Sequence, residues 1–356
     1  MADSQLITPP FAKKRIEYLD ALRGFTMLLV VMTHVAEFVF GSDGEGGNYH
    51  FYLKQFRMPL FFFVSGFVFF KDNFNWSAGN IMNFLKKKIP VQLIFPFLFM
   101  LCYTYTIEYD FIEALILDYK RGYWFTFTLF AYLVIYILSQ KIFDVFKVKK
   151  TIWRFAVLLI IGYAIYNNFV VSAIFRLGVP SCIITLLGIT KLDYFIFFVI
   201  GAFVKKYFQQ FEYLLDKTFL VAVAIAVYFL VNIFIGASAY NDFVNNGIKF
   251  VLALCGIVIV FSWFRKNGAT FAGDGRVSRT LKFIGKRTLD IYLLHWFFIP
   301  FNYSAIFPFF MENSFPILEF AATFTITIFV VAACLVVSSV LRINDTLAHY
   351  MFGAKK

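Results

Sequence analysis

The chain has 356 residues, of which 61% are hydrophobic and 15% charged, and its formal net charge is +12. Together with a mean hydropathy of +0.75, this balance excludes an ordinary soluble globular domain and specifies an integral membrane protein. The four cysteines, Cys102, Cys182, Cys255 and Cys334, are far apart, form no CxxC and have no histidine at metal-ligand spacing, so they read as packing residues and no metal site is expected.

Residues 1–14 form a polar tail. Lys13, Lys14 and Arg15 lead straight into the first long apolar run, which reads as a retained span and not a cleaved signal. Apolar runs of about 20 residues then recur to the end of the chain. They predict a polytopic all-α fold with about ten transmembrane helices, over about 20–40, 51–70, 87–107, 123–140, 152–169, 192–205, 218–236, 246–264, 285–303 and 316–340. The transmembrane domain is set at 15–345, with a tail at 346–356. Residues 170–191 are apolar but interrupted by Gly178, Pro180 and Gly188, which suits a re-entrant segment, an interfacial one or an additional span.

The ten-span frame sorts the charge. It places 25 of the 33 Lys and Arg on the side of the amino terminus and five on the other, with Arg23, Lys54 and Arg57 inside the membrane. That asymmetry puts both termini in the cytoplasm. It also accounts for the net charge without nucleic acid, while leaving cations for an anionic substrate or for membrane lipids.

Polar residues within spans are costly and mark functional positions. The first span carries Arg23 and His34, eleven residues and so about three turns and about 16 Å apart on one face, with Glu37 a turn further on. The second carries Lys54, Gln55 and Arg57, then Pro59 and Ser65-Gly66. The third is entered through Lys86, Lys87 and Lys88. The ninth is entered through Lys286 and Arg287 and carries Asp290, Tyr292 and His295. Plainer roles exist for several of these. Arg23, Lys54 and Arg57 suit snorkelling anchors, His34 an interhelical hydrogen bond, and His295, followed by Trp296, an aromatic belt. Ser65-Gly66 and Gly201 suit helix packing, His50 a solvated loop and His349 the tail.

Five features in order resemble the acyltransferase 3 family of membrane acyltransferases. They are Arg23-x10-His34, the run Met58-Pro59-Leu60-Phe61-Phe62-Phe63-Val64-Ser65-Gly66-Phe67, Tyr123-Trp124-Phe125, Tyr194 to Gly201, and Leu289-Asp290-Ile291-Tyr292-Leu293-Leu294-His295. The resemblance spans residues 15 to 340 or so. It departs from the family where many members have paired arginines entering the third span, here Lys86-Lys87-Lys88, which offer point charge without a bidentate fork. The resemblance implies a bacterial inner-membrane enzyme that O-acetylates a surface glycan or lipid-linked sugar, with acetyl-CoA as co-substrate and no permanently bound cofactor. His34 is then the base or the acyl acceptor. Glu37 or Asp290 orients its ring. Arg23, Lys86, Lys87 and Lys88 hold the nucleotide end of the acyl-CoA, with Lys286 and Arg287 beside them. Lys54, Arg57, Asp290, Tyr292 and His295 are expected to meet the acceptor or line its pocket. The competing reading is a transporter or flippase for a glycan or lipid, with Arg23, His34, Glu37 and Asp290 as a substrate or proton pathway.

Overall fold

The structure is a computed structural model, and it describes residues 16–41, 49–72, 74–186, 188–234, 242–299 and 315–352. The basic triplet Lys13, Lys14 and Arg15 and the last residues of the expected ninth span lie outside them. Among the described residues there is no strand. The helices run α1 (Tyr18–Val39), α2 (Tyr49–Phe69), α3 (Ala78–Ile89) and α4 (Phe95–Thr106), then α5 (Phe111–Ile116), α6 (Trp124–Val145), α7 (Thr151–Tyr166) and α8 (Phe169–Arg176). They continue with α9 (Ser181–Leu186), α10 (Phe195–Lys206), α11 (Phe208–Asp216), α12 (Thr218–Phe234), α13 (Asp242–Lys266), α14 (Gly268–Ala272), α15 (Arg276–Lys286) and α16 (Thr288–Leu294). Two more, α17 (Pro316–Leu341) and α18 (Asp345–Phe352), close the described chain.

Among the described residues, six stretches are long and apolar enough to cross a membrane: Tyr18–Val39, Ala78–Thr106, Trp124–Val145, Ser181–Lys206, Phe243–Lys266 and Pro316–Leu341. The pair α11 and α12, bent by 78° at its junction, makes a seventh if counted as one broken span. The other expected spans take different forms. α2 is long enough, but Lys54, Gln55 and Arg57 fill its first half. α7 is a 16-residue apolar helix. The expected ninth span is broken at Arg287, which leaves the helical region at φ −117° and ψ 23° and divides α15 from α16. The interrupted stretch at 170–191 is not one continuous helix. It holds α8, α9 and the start of a 3₁₀ turn, Ile189–Tyr194, that runs into α10.

Between α3 and α4 lies a π-helical turn, Pro90–Ile94. Pro90 and Pro96 remove two backbone donors here, and a widened turn is a usual way to absorb that loss.

α1 is the central helix. Ala21, Leu22, Val31, Val35 and Ala36 are fully buried, and α15, α17 and α2 pack around it. The packing is closest where side chains vanish. A Cβ on Gly24 would stand 2.1 Å from the Leu281 carbonyl oxygen, and one on Gly285 would stand 1.7 Å from that of Asp20. α2 and α10 interlock in the same reciprocal way through Gly66 and Gly201. Small residues let helices approach where lipid offers no hydrophobic driving force. On the periphery, α12 and α17 expose large apolar side chains such as Phe219, Ile233, Ile317 and Phe329, as lipid-facing surfaces do.

Candidate active site

α1 carries a reactive cluster at its carboxy-terminal end. Nδ1 of His34 lies 3.4 Å from Oε2 of Glu37, one turn along the same helix. The other carboxylate oxygen of Glu37 lies 3.4 Å from Nε2 of His50 and 3.4 Å from Nη2 of Arg57, both on α2. Glu37 therefore joins three cationic or titratable side chains from two helices. With its Nδ1 turned to a carboxylate, the His34 ring is oriented so that Nε2 is the nitrogen left for chemistry. Arg57 is nine-tenths buried. Its Nε and Nη1 have no hydrogen-bond partner among the described residues, so two donors of a buried cation are available in the cluster.

His34, Glu37 and Arg57 sit on the wall of a cavity of about 920 Å³. Lys54 is at its exposed edge. Its walls are strongly aromatic, with Tyr119, Trp124, Tyr194 and Trp296 among them. The Trp296 ring is 4.6 Å from that of His34. Part of the wall is the loop that carries Leu117, Asp118, Tyr119, Arg121 and Gly122. That loop is pinned by Lys120, whose buried Nζ donates to the carbonyls of Leu115 at 2.8 Å and Thr185 at 2.9 Å. Burial pulls its ammonium down to about 8.

A second cavity of about 410 Å³ opens at the other end of α1. Five cations among the described residues line it: Arg23, Lys71, Lys88, Lys286 and Arg342. Arg23 also donates to the hydroxyl of Thr288 at 3.1 Å, which ties α1 to α16. Its lining also includes apolar side chains, Val64, Leu129 and Leu133 among them, so cationic and apolar groups share one cavity.

Several expected placements change. Asp290 is far from orienting His34. It is 1% exposed at the wall of the basic cavity, held by Arg342 through bonds of 2.7 and 2.9 Å and by the hydroxyl of Ser338. A buried carboxylate needs such a partner, and α17 and the turn that follows it supply it. Lys86 and Lys87 point away from the cavity and are exposed, while Lys88 alone of the triplet lines it. Consecutive helical residues are 100° apart, so three lysines in a row cannot share one face. Arg287 is also off the cavity wall, donating to Ser338 and Ser339 and lying over the Phe283 ring. His295 is fully buried behind His34, the two rings stacked at 5.5 Å, with Nδ1 donating to the Ile291 carbonyl. Tyr292 lines both cavities.

His50, expected in a solvated loop, belongs instead to the first turn of α2 and is entirely buried against Glu37. One signal for this exists in the spacing, since His50 precedes Arg57 by seven residues, two helical turns, and so shares its face. Lys71, Trp296 and Arg342 are further site residues that the pattern does not single out. Arg342 lies 52 positions from Asp290, and no local spacing reports such a pair. Among the described residues, no group of His, Cys, Asp and Glu has the makings of a metal site.

A family profile described as an acyltransferase domain matches residues 16–341. Among curated proteins and among solved structures, none matches the chain. The profile covers all but the two ends of the chain, including both cavities and nearly every residue that lines them, and the chain therefore belongs to the acyltransferase 3 family of membrane acyltransferases.

Proposed function

We propose that this acyltransferase takes acetyl from cytoplasmic acetyl-CoA and delivers it to a hydroxyl of a cell-surface glycan or lipid-linked sugar. The observation that carries the proposal is the position of one helix between two unlike cavities. The basic cavity surrounds Arg23, the aromatic cavity surrounds His34, and about 16 Å of α1 separates the two residues. That span is close to the reach of an extended pantetheine arm. In this reading the nucleotide phosphates rest on Arg23, Lys71, Lys88, Lys286 and Arg342, with the Arg23 end of α1 facing the cytoplasm of a bacterial inner membrane.

At the other end, Nε2 of His34 takes the proton of the acceptor hydroxyl as its oxygen attacks the thioester carbonyl. The C–O bond forms, the C–S bond breaks, and His34 returns the proton to the departing thiolate. Glu37 steadies the imidazolium formed between these steps, and the two unpartnered donors of Arg57 meet developing negative charge on the carbonyl oxygen or an anionic group of the acceptor. Transfer by way of an acyl-His34 uses the same residues. The aromatic walls suit the apolar faces of sugar rings.

The test is transfer of label from acetyl-CoA by the purified full-length protein. His34→Ala abolishes release of CoA while the protein stays folded, and Arg23→Ala raises the apparent KM for acetyl-CoA more than it lowers kcat. A wild-type protein that neither transfers nor hydrolyses acetyl-CoA, or a His34→Ala variant as active as wild type, refutes the proposal.

A further inference from the structure

The two cavities share part of their walls, and among the described residues only three side chains are common to both: Phe61 on α2, Phe125 at the start of α6 and Tyr292 on α16. These three form a partition. Phe61 and Phe125 meet edge to face with ring centroids 4.6 Å apart, and Phe125 and Tyr292 meet with centroids 5.7 Å apart. Tyr292 is fastened from two directions. Its hydroxyl accepts from the backbone N–H of Phe125 at 3.2 Å and donates to the carbonyl of Gly122 at 3.2 Å. Phe125 and Tyr292 are buried, whereas Phe61 is only half-buried and has no polar group to anchor it.

Arg23 lies on one side of this partition and His34 on the other. Whatever passes from the basic cavity to the histidine passes these rings. We infer that Phe61, Phe125 and Tyr292 set the width of the acyl group that reaches His34, admitting slender acyl groups and holding back branched ones. The inference rests on the acyltransferase reading and goes beyond it, because that reading fixes the direction of transfer and not the size of what is transferred.

The physical reason is steric and directional. Two rings tethered through a helix start cannot open far, so the clearance depends on rotation of Phe61 about its side-chain bonds. An acetyl group needs little more than the section of the arm that carries it. A branch that widens the acyl group beyond the arm must fit between ring faces that are already in contact, and a site of this kind discriminates by about tenfold or more per added methyl.

The experiment measures thiol release from acetyl-CoA, butyryl-CoA and its branched isomer isobutyryl-CoA by the full-length wild type, Phe61→Ala, Phe125→Ala and Phe61→Trp, each checked for folding by thermal unfolding. The expected result is a rise of about tenfold or more in the isobutyryl-to-butyryl ratio of kcat/KM for the two alanine variants, and a fall in that ratio for Phe61→Trp. Phe61→Trp keeps an aromatic at the partition and so reads the gate even where an alanine variant fails to fold. An active wild type whose ratio is unmoved in folded variants overturns the gate alone. A wild type inert toward every acyl-CoA overturns the acyltransferase reading and the gate with it.

Discussion

Glu37 is the residue on which the cluster turns. Its carboxylate faces His34 on one oxygen and His50 and Arg57 on the other, so it holds the His34 ring and neutralises a buried guanidinium together. Glu37→Gln preserves the size of the side chain and removes the charge. The expected effect is a fall in kcat of about a hundredfold or more with a smaller change in KM for acetyl-CoA, read by steady-state kinetics. Glu37→Asp shortens the reach and should recover part of the loss. An unchanged kcat in Glu37→Gln would remove Glu37 from the proton-transfer machinery.

At the scale of elements, two clamps hold the cavities in shape. The first is the bidentate Arg342–Asp290 pair, which joins the end of α17 to α16. Because Asp290 is buried, Arg342→Ala strands a carboxylate and is expected to cost about 3–5 kcal/mol, seen as a lowered Tm in detergent. Adding Asp290→Asn to that variant should restore part of the Tm, whereas two independent losses would simply add.

The second clamp is Lys120, which pins the loop over the aromatic cavity to the carbonyls of Leu115 and Thr185. Its folded-state value of about 8 lies below the ordinary lysine value of about 10.4. Below pH 8 the ammonium is charged in folded and unfolded chains alike, and its burial cost is carried in full. Between pH 8 and about 10.4 the folded chain has shed the proton while the unfolded chain still holds it, so this group makes stability rise with pH across that window. Thermal unfolding of wild type against Lys120→Met from about pH 7 to about pH 10 checks this. The rise should be present in wild type and flattened in the variant.

At the scale of the molecule, the proposed direction of transfer depends on topology. In a variant with the four native cysteines replaced, Leu177→Cys should react with an impermeant thiol reagent from outside intact cells. Ile343→Cys should react only after permeabilisation. Both positions are well exposed. The reverse pattern would place the Arg23 end outside and defeat a cytoplasmic acyl-CoA.

Much of the molecule is legible in its amino-acid order alone. A bilayer forces backbone polar groups into helices, so hydropathy specifies an all-helical membrane protein, and the cost of burying charge makes Arg23, His34, Glu37 and Arg57 stand out in apolar runs. Helical periodicity puts His34 and Glu37 on one face. These inferences are local, needing only a residue and its neighbours within a few turns. Contacts between distant segments obey no such rule. Tertiary structure alone pairs Asp290 with Arg342 and takes it from His34, buries His50 against Glu37, turns Lys86 and Lys87 outward while keeping Lys88, and breaks the expected ninth span at Arg287. Above all it sets Phe61, Phe125 and Tyr292, from three helices up to 231 positions apart, between two cavities, because a shared wall exists only once the helices have packed.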